Sequence, residues 1–594
     1  MKFLKRNFFI LISIIIGFLY SFTIFNISFI KGTNTFWTKP FGDRITNIIG
    51  ELYYIHDSWH YPIFFVPKLS IPEGTNIVYT DSLPFLALIA KVIFKLTGIS
   101  FNYFGMWEFL CFPLLSLFVA LSIKEGGSKS IFVIICAILL SLSNPALLVR
   151  FGHIALMSHF LILWSLYLYL RIVHQPKSLN GTIQFCIVAT LAVLLQAYFL
   201  LMVMPFFLAA LLTVIKEKKL SFKNALTQFT VVIGVILGVA FTSGIIGPGS
   251  PTSSAWGFGF YSMNLISPFL PPREHLPIFI SKFVTWDGNG YSWDATGGQY
   301  EGYNYLGLGL LFLLLINIYY SRNIIKHNIK HHFFLFAALF CLILYALSYK
   351  IYIGNFYTTI TPIYAPLEYI TDHFRVSGRF FWPVYYVLVV SLVLITLHNF
   401  NSRLSKFLLV LAVTFQLMDT QILHKNFSEG VNHGVHQLLA QDTWKPLLEG
   451  HNFLIQYPSF QCGGWAKKWP ENNSNMELLL LTAKLNRPTN SAYLARSNRD
   501  CNAELAEGLS FNIKKGGLYI YGNTFPIYKL EYMPNFRRWC RGFKFGIVCL
   551  RDWENFPKIP QSFFRISNEW APEYQLGKIL RFKANGNGVK FRLF

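Results

Sequence analysis

The chain has 594 residues, of which 53% are hydrophobic, 18% aromatic and only 13% charged, with a mean hydropathy of +0.43. That balance excludes an ordinary soluble domain and a disordered chain, and fixes a polytopic membrane protein. The net charge of +23 does not imply nucleic acid, because the basic residues gather in short loops between hydrophobic runs.

The first apolar run, residues 8–30, follows Lys2, Lys5 and Arg6. It exceeds the hydrophobic stretch of a secretory signal and no small-residue cleavage site follows, so it reads as a span. The next segment, 31–102, is too long for a turn between membrane helices. It carries Asp43, Glu51, His56, Asp57, His60 and Asp81 among aromatics and prolines. Loops beyond about 12–15 residues are usually functional or disordered, and one this aromatic is not expected to be disordered. We read it as the active-site loop. Within it, residues 83–96 are apolar but short and include Lys91 and Lys95. Counting them as a span would invert every later loop, so they are expected to lie as a helix on the outer membrane surface.

Further spans are expected near 103–123, 131–149, 154–172, 183–195, 199–214, 228–246, 305–320, 333–349, 380–397 and 405–423, eleven in total. Residues 183–214 are split at Gln196-Ala197-Tyr198, since an unbroken helix would place the KEKK run from Lys216 outside. With the N-terminus inside, every short cytoplasmic loop is basic: Lys124 and Lys129, Arg171 and Lys177, Arg322, Lys326 and Lys330, Arg403 and Lys406. This is the positive-inside pattern. Of the fifteen Asp and Glu residues up to Leu423, only Glu125 and Glu217 fall on that side. Chemistry that needs carboxylates is therefore expected on the outer face.

After Leu423 the hydropathy falls, and 424–594 reads as a soluble domain placed outside by the odd number of spans. Cys111, Cys136, Cys186 and Cys341 lie in spans, whereas Cys462, Cys501, Cys540 and Cys549 lie in this tail. Four cysteines in an exported domain permit two disulfides in three connectivities. A zinc site is the rival reading, against which stand the lack of a close CxxC pair and of His at ligand spacing. Residues 452–457 and 517–521 read as strands and 475–485 as a helix, with further strands at 543–550 and 578–593, the latter broken by an NGNG turn. The result is a small α/β unit without a nucleophile elbow, P-loop or dinucleotide motif, expected to bind or position rather than catalyse.

The segment GDRITNIIGELYYIHDSWHYPIF followed by TDSLPFLALIAKVIFKLTGIS resembles the GT-C superfamily of membrane glycosyltransferases, which use polyprenyl-phosphate-linked sugars. In that superfamily an acidic residue soon after the first span starts an amphipathic helix, and a Pro-containing segment opens a surface helix. Within the superfamily's periphery, GDR at 42–44, YTDSLP at 79–84, RFGHIAL at 150–156, SPFLP at 267–271, EGYNYLGLG at 301–309 and FRVSGRFFWP at 374–383 are similar to a group of bacterial polytopic proteins carrying a domain of unknown function. The implied fold is an all-α polytopic membrane domain of about eleven helices, GT-C-like, over 1–423, with a C-terminal extracytoplasmic α/β domain over 424–594.

Glycosyl transfer needs a carboxylate that accepts a proton from the attacking hydroxyl and a cation that receives the departing phosphate. Asp43 occupies the position of the superfamily's catalytic acid; an Asp after Gly also serves as a helix N-cap. Asp81 precedes Ser82 and Pro84 at a helix start, where a second acid and a cap are both open. Arg375 and Arg379 stand four apart, which on a helix would put two guanidinium forks on one face for a phosphate, or anchor the interface beside Trp382. Arg150 and His153 lie in a short outer turn, and His159 inside a span is either functional or a neutral hydrogen-bonded histidine. Asp287, Asp294 and Glu301 could bind sugar hydroxyls or a cation.

The expectation is a multi-pass protein of the bacterial inner membrane, N-terminus cytoplasmic, that moves a sugar from a polyprenyl-phosphate donor to an outer glycan, lipid or protein acceptor. No cofactor or metal ligand is assigned beyond that co-substrate, the need for a divalent metal is left open, and the partners are the bilayer, the lipid-linked donor and an acceptor. A non-catalytic envelope glycan assembly or binding protein and a lipid-linked saccharide transporter are the alternatives. The transporter fits less well, since the spans are nearly free of ionisable residues.

Overall fold

The computed structural model describes residues 2–38, 43–247, 250–251, 256–270, 294–432, 441–463, 471–555 and 564–565. Among them, six helices are long and apolar enough to cross a membrane: Phe104–Glu125, Ile154–His174, Tyr198–Lys216, Phe222–Ser243, Ser377–Asn399 and Ser402–Val431. The pair Leu308–Tyr320 and Arg322–His331, bent by 98°, makes up to seven. Shorter apolar helices occupy Phe8–Phe22, Ile131–Leu142, Asn180–Leu195 and Phe333–Leu347, so length alone does not reach the expected eleven. One apolar core runs through these helices. Ser21 Oγ donates to Phe109 O at 3.0 Å, tying the first helix to the Phe104–Glu125 helix, and Phe118 stacks on Trp164 at 4.6 Å.

The expected split near Gln196 is a break between two helices. Asn180–Leu195 and Ala197–Lys216 are separate helices, and Gln196 between them is extended at φ −162°, ψ 116°. The break frees the Gln196 side chain to leave the helical stack.

The long loop folds into a helix at Asp43–His56, a two-stranded hairpin (β1, Phe65–Val66; β2, Thr75–Asn76), a turn at Ile77–Thr80 and a helix at Pro84–Thr97. Proline at the first turn and Gly98 in the left-handed region at the end delimit this last helix by the ordinary asymmetry of helix ends. Its Lys91, out of place in an apolar helix, lies 4.0 Å from the Tyr54 ring centroid and donates to Ser58 O at 2.9 Å. The Asp43 helix and the Ile77–Thr80 turn approach so closely that a Cβ on Gly50 would sit 2.1 Å from Thr80 Oγ1. Asn47 Nδ2 fixes the same junction by donating to Thr80 O and Asp81 O at 2.8 and 2.9 Å.

The helix of the last expected span runs past Leu423 to Asn432, so the 423/424 boundary falls inside an element. The C-terminal unit carries helices at Gln441–Glu449, Glu471–Lys484 and Cys501–Leu509. A separate hairpin in the membrane part pairs β3 (Lys350–Ile353) with β4 (Phe356–Thr359). The C-terminal sheet has the order β5-β6-β8-β7-β9, from β5 (Phe453–Tyr457), β6 (Gly517–Gly522), β7 (Cys540–Phe543), β8 (Gly546–Cys549) and β9 (Phe564–Arg565). β5 and β6 are parallel and the other pairs antiparallel. The expected strand at 543–550 is instead the turn and second strand of the β7–β8 hairpin, with Gly546 facing Phe543. The expected strand at 578–593 lies outside the described residues.

Two disulfides join Cys462 to Cys501 and Cys540 to Cys549. The unit is stitched to the long loop: Ile71 N donates to Thr489 O, Thr489 N to Lys68 O and Ala495 N to Tyr79 O, at 2.8–3.0 Å. Tyr53 Oη donates to Arg487 O at 2.5 Å, and Arg499 reaches Ile71 O at 2.8 Å and Glu73 at 2.6 Å.

Candidate functional site

A cavity of about 420 Å³ opens between the long loop, the Gln196 break, the segments around Glu301 and Arg375, and the 493–496 stretch of the C-terminal unit. Its lining gathers Asp43, Asp81, His153, Glu301, Arg375 and Arg379, residues spread over most of the membrane domain in sequence. Arg150 stands behind the wall rather than on it.

Asp43 lies in the first turn of its helix, with Oδ2 2.9 Å from His153 Nδ1 and about a third of each side chain exposed. Burial weighs against its charged form, but the hydrogen bond and charge of His153 outweigh it and hold the carboxyl below the usual carboxylate range. The carboxylate is thus ionised and oriented toward a space where a hydroxyl could donate to it. The neighbouring Arg44 stacks on the Phe36 ring at 3.8 Å.

Asp81 does not cap the helix that follows. The cap position belongs to Leu83, whose side chain has no hydrogen-bond acceptor, and Ser82 Oγ turns away to Asn47 O at 2.7 Å. Asp81 adopts a left-handed conformation, φ 52°, which Asp tolerates better than most residues. Its Oδ1 accepts from Gln196 Nε2 at 3.2 Å. Burial, reinforced by the charge of Asp43, pushes its carboxyl up to about 6. Two carboxyls of one cavity therefore titrate in different ranges, an arrangement common where acids and bases act together.

Glu301 accepts from Arg150 Nη1 at 2.5 Å and from both Nε and Nη2 of Arg379 at 3.0 Å. Burial opposes its ionisation, but the two guanidiniums outweigh it and hold the carboxyl far below its ordinary range. Arg150 also donates to the carbonyls of Tyr300 and Glu301. The arrangement depends on bare backbone: a Cβ on Gly378 would sit 2.4 Å from Gly302 Cα, and Asn304 Nδ2 bridges the carbonyls of both glycines. Glu301 is a structural counter-ion at the cavity wall, and Arg379 is engaged by it.

The helical face expected for Arg375 and Arg379 is absent. A helix ends at His373, Arg375 lies in the connection, and Arg379 lies in the short turn Ser377–Phe381. Both still reach the cavity. Arg375 Nη1 donates to Trp256 O at 2.7 Å, and among the described residues the rest of its fork of donors has no hydrogen-bond partner. Trp382 is no interfacial anchor: it is buried and stacks on His159 at 4.3 Å. His159 itself takes a hydrogen bond with the Tyr386 hydroxyl at 2.8 Å, the helix-to-helix role of a buried histidine. Asp294 does not line the cavity, and Asp287 lies outside the described residues. Among the described residues no group of three or more His, Cys, Asp or Glu could hold a metal ion.

Among the lining residues that sequence reading did not assign to the site are Gln196, Tyr198, Tyr493 and Arg496. Tyr198 Oη accepts from Val376 N at 3.1 Å. Tyr493 hydrogen-bonds Asp43 through its hydroxyl, and burial together with that carboxylate pushes its pKa well up, keeping the phenol a donor. Arg496 donates to Asp372 O at 3.1 Å. The loop 486–500 that carries them shows only a run of Ser, Asn and Arg around a Tyr, with no helical or strand period.

Residues 14–421 match the profile described as Domain of unknown function (DUF6311), and 443–541 match the DUF6311 C-terminal domain. No curated protein matches the chain. Among solved structures, the archaeal oligosaccharyltransferase AglB from Archaeoglobus fulgidus, in complex with an inhibitory peptide and a dolichol-phosphate, is similar at 11% identity, with 87% of this chain and 70% of that one covered and a TM-score of 0.38. The family match extends over well more than half of the chain, and the chain belongs to the DUF6311 family.

Proposed function

We propose that this chain is a GT-C-type membrane glycosyltransferase that moves a sugar from a polyprenyl-phosphate donor to an acceptor hydroxyl on the extracytoplasmic face. The observation that carries the reading is the meeting of an ionised carboxylate, Asp43, and an arginine without a carboxylate partner among the described residues, Arg375, in one cavity. In this reading Asp43, steadied by His153, takes the proton of the acceptor as its oxygen bonds the anomeric carbon. The bond from that carbon to the phosphate oxygen breaks, and Arg375 receives the developing charge. Asp81 serves as a second acid. We place the protein in a bacterial inner membrane with eleven passes, the N-terminus inside and the C-terminal unit outside. The two disulfides of that unit support an oxidising compartment.

The test is Asp43→Asn in the native host beside a full deletion, with surface glycans compared and insertion checked. We expect the two strains to lose the same glycan. An unchanged profile in both removes the glycosyltransferase reading. Loss in the deletion alone leaves a non-catalytic assembly role.

A further inference from the structure

Three guanidiniums line the cavity, those of Arg375, Arg379 and Arg496, and they are not equivalent. Arg379 gives both of its forward donors to Glu301. The arginine ion pairs among the described residues involve Arg150, Arg379, Arg499 and Arg538. Arg375 and Arg496 are instead each held by a backbone carbonyl, Trp256 O and Asp372 O. These two half-buried cations, one from each structural unit, face the same space. Burial lowers the Arg496 pKa, and the positive charge of Arg375 acts on it in the same direction. An unoccupied pair of like charges is unfavourable, and an anion between them relieves both.

We infer that Arg375 and Arg496 form a cradle for a phosphate-ester anion, bridging the membrane domain and the C-terminal unit. The acidic side of the cavity, with Asp43 and Asp81, repels such an anion and keeps it on the arginine side. A diphosphate, with two centres of charge, suits two separated forks better than a single phosphate does. The cradle explains why the C-terminal unit is stitched so closely to the long loop: Ala495 N on Tyr79 O and Arg499 on Ile71 O set Arg496 over the cavity. Naming the lipid-linked donor as the source of the anion rests on the glycosyltransferase reading; the anion site does not.

The test uses the purified full chain in detergent. Inorganic phosphate, inorganic pyrophosphate, a short-chain prenyl diphosphate and phosphatidylglycerol are titrated by calorimetry. We expect pyrophosphate and the prenyl diphosphate to bind at least tenfold more tightly than phosphate or phosphatidylglycerol. Arg496→Gln and Arg375→Gln should each weaken that binding about tenfold or more. Arg496→Lys, which keeps the charge and loses the planar fork, should fall between and guards against a misfolded Gln variant. Unchanged pyrophosphate affinity in a normally melting Arg496→Gln protein overturns the proposal. Equal binding of phosphatidylglycerol overturns it in favour of an ordinary lipid site. Asp43→Asn, which removes one of the repelling charges, should bind pyrophosphate at least as tightly as the parent, so a glycan profile untouched by that variant sinks the enzyme reading while leaving the anion site standing.

Discussion

Glu301 is the residue on which the cavity wall depends most. Changing Glu301→Gln leaves the buried Arg150 and Arg379 guanidiniums without their counter-ion, a class of change that costs about 3–5 kcal/mol. We expect a large fall in the melting temperature of the purified protein, whereas Asp43→Asn, at a third-exposed carboxylate, should move it little. Asp81 behaves in the opposite sense. Its folded pKa is raised to about 6, above the value near 4 of an unfolded aspartate, so the folded state holds the extra proton between those limits. Stability contributed there is full below about pH 4 and lost as pH rises through 6. Asp81→Asn, whose amide oxygen can still accept from Gln196, should therefore raise stability at pH 7 by about 3 kcal/mol and flatten the melting profile between pH 4 and 6; lower stability at pH 7 would overturn this. Six cavity residues were legible in the sequence as acids, bases or arginines in loops between apolar runs. Their pairing was not, because Glu301 meets Arg379 only where two glycines let their backbones touch, and no spacing rule conveys that.

At the scale of elements, the split at Gln196 followed from charge bookkeeping of loops, and the helix at Pro84–Thr97 from its proline start and its apolar run. The expected strand at 543–550 holds β8 at Gly546–Cys549, and the turn before it went unseen because hairpin turns without an Asn-Gly or Asp-Gly pair give little local sign. The disulfide pairing was illegible, since four cysteines allow three pairings and only the fold chooses. Cys462 and Cys501, 39 residues apart, brace both ends of the segment that holds Tyr493 and Arg496. Replacing Cys501→Ser should cost the C-terminal unit about 3–4 kcal/mol and speed proteolysis within 486–500 in limited digestion. An unchanged digestion rate would show that the contacts of Arg499 with Ile71, Glu73 and Glu504 hold the segment unaided.

At the scale of the molecule, the membrane class was plain from hydropathy, while the joining of the C-terminal unit to the long loop was not. Half of the stitches described above run backbone to backbone, and backbone contacts leave no compositional trace. Lys216→Cys and Ser428→Cys, labelled in intact cells, should react from opposite sides of the membrane; same-side labelling would overturn the proposed topology. The contact of Tyr493 with Asp43 also sets an order of assembly. Asp43 leaves the ribosome hundreds of residues before Tyr493 and Arg496, an interval on the order of tens of seconds at about 5–20 residues per second. For that interval the newborn chain holds half a cavity, with its carboxylates exposed and its second arginine not yet made. The cavity is therefore complete only once the 493–496 stretch has been made and has packed beside the long loop.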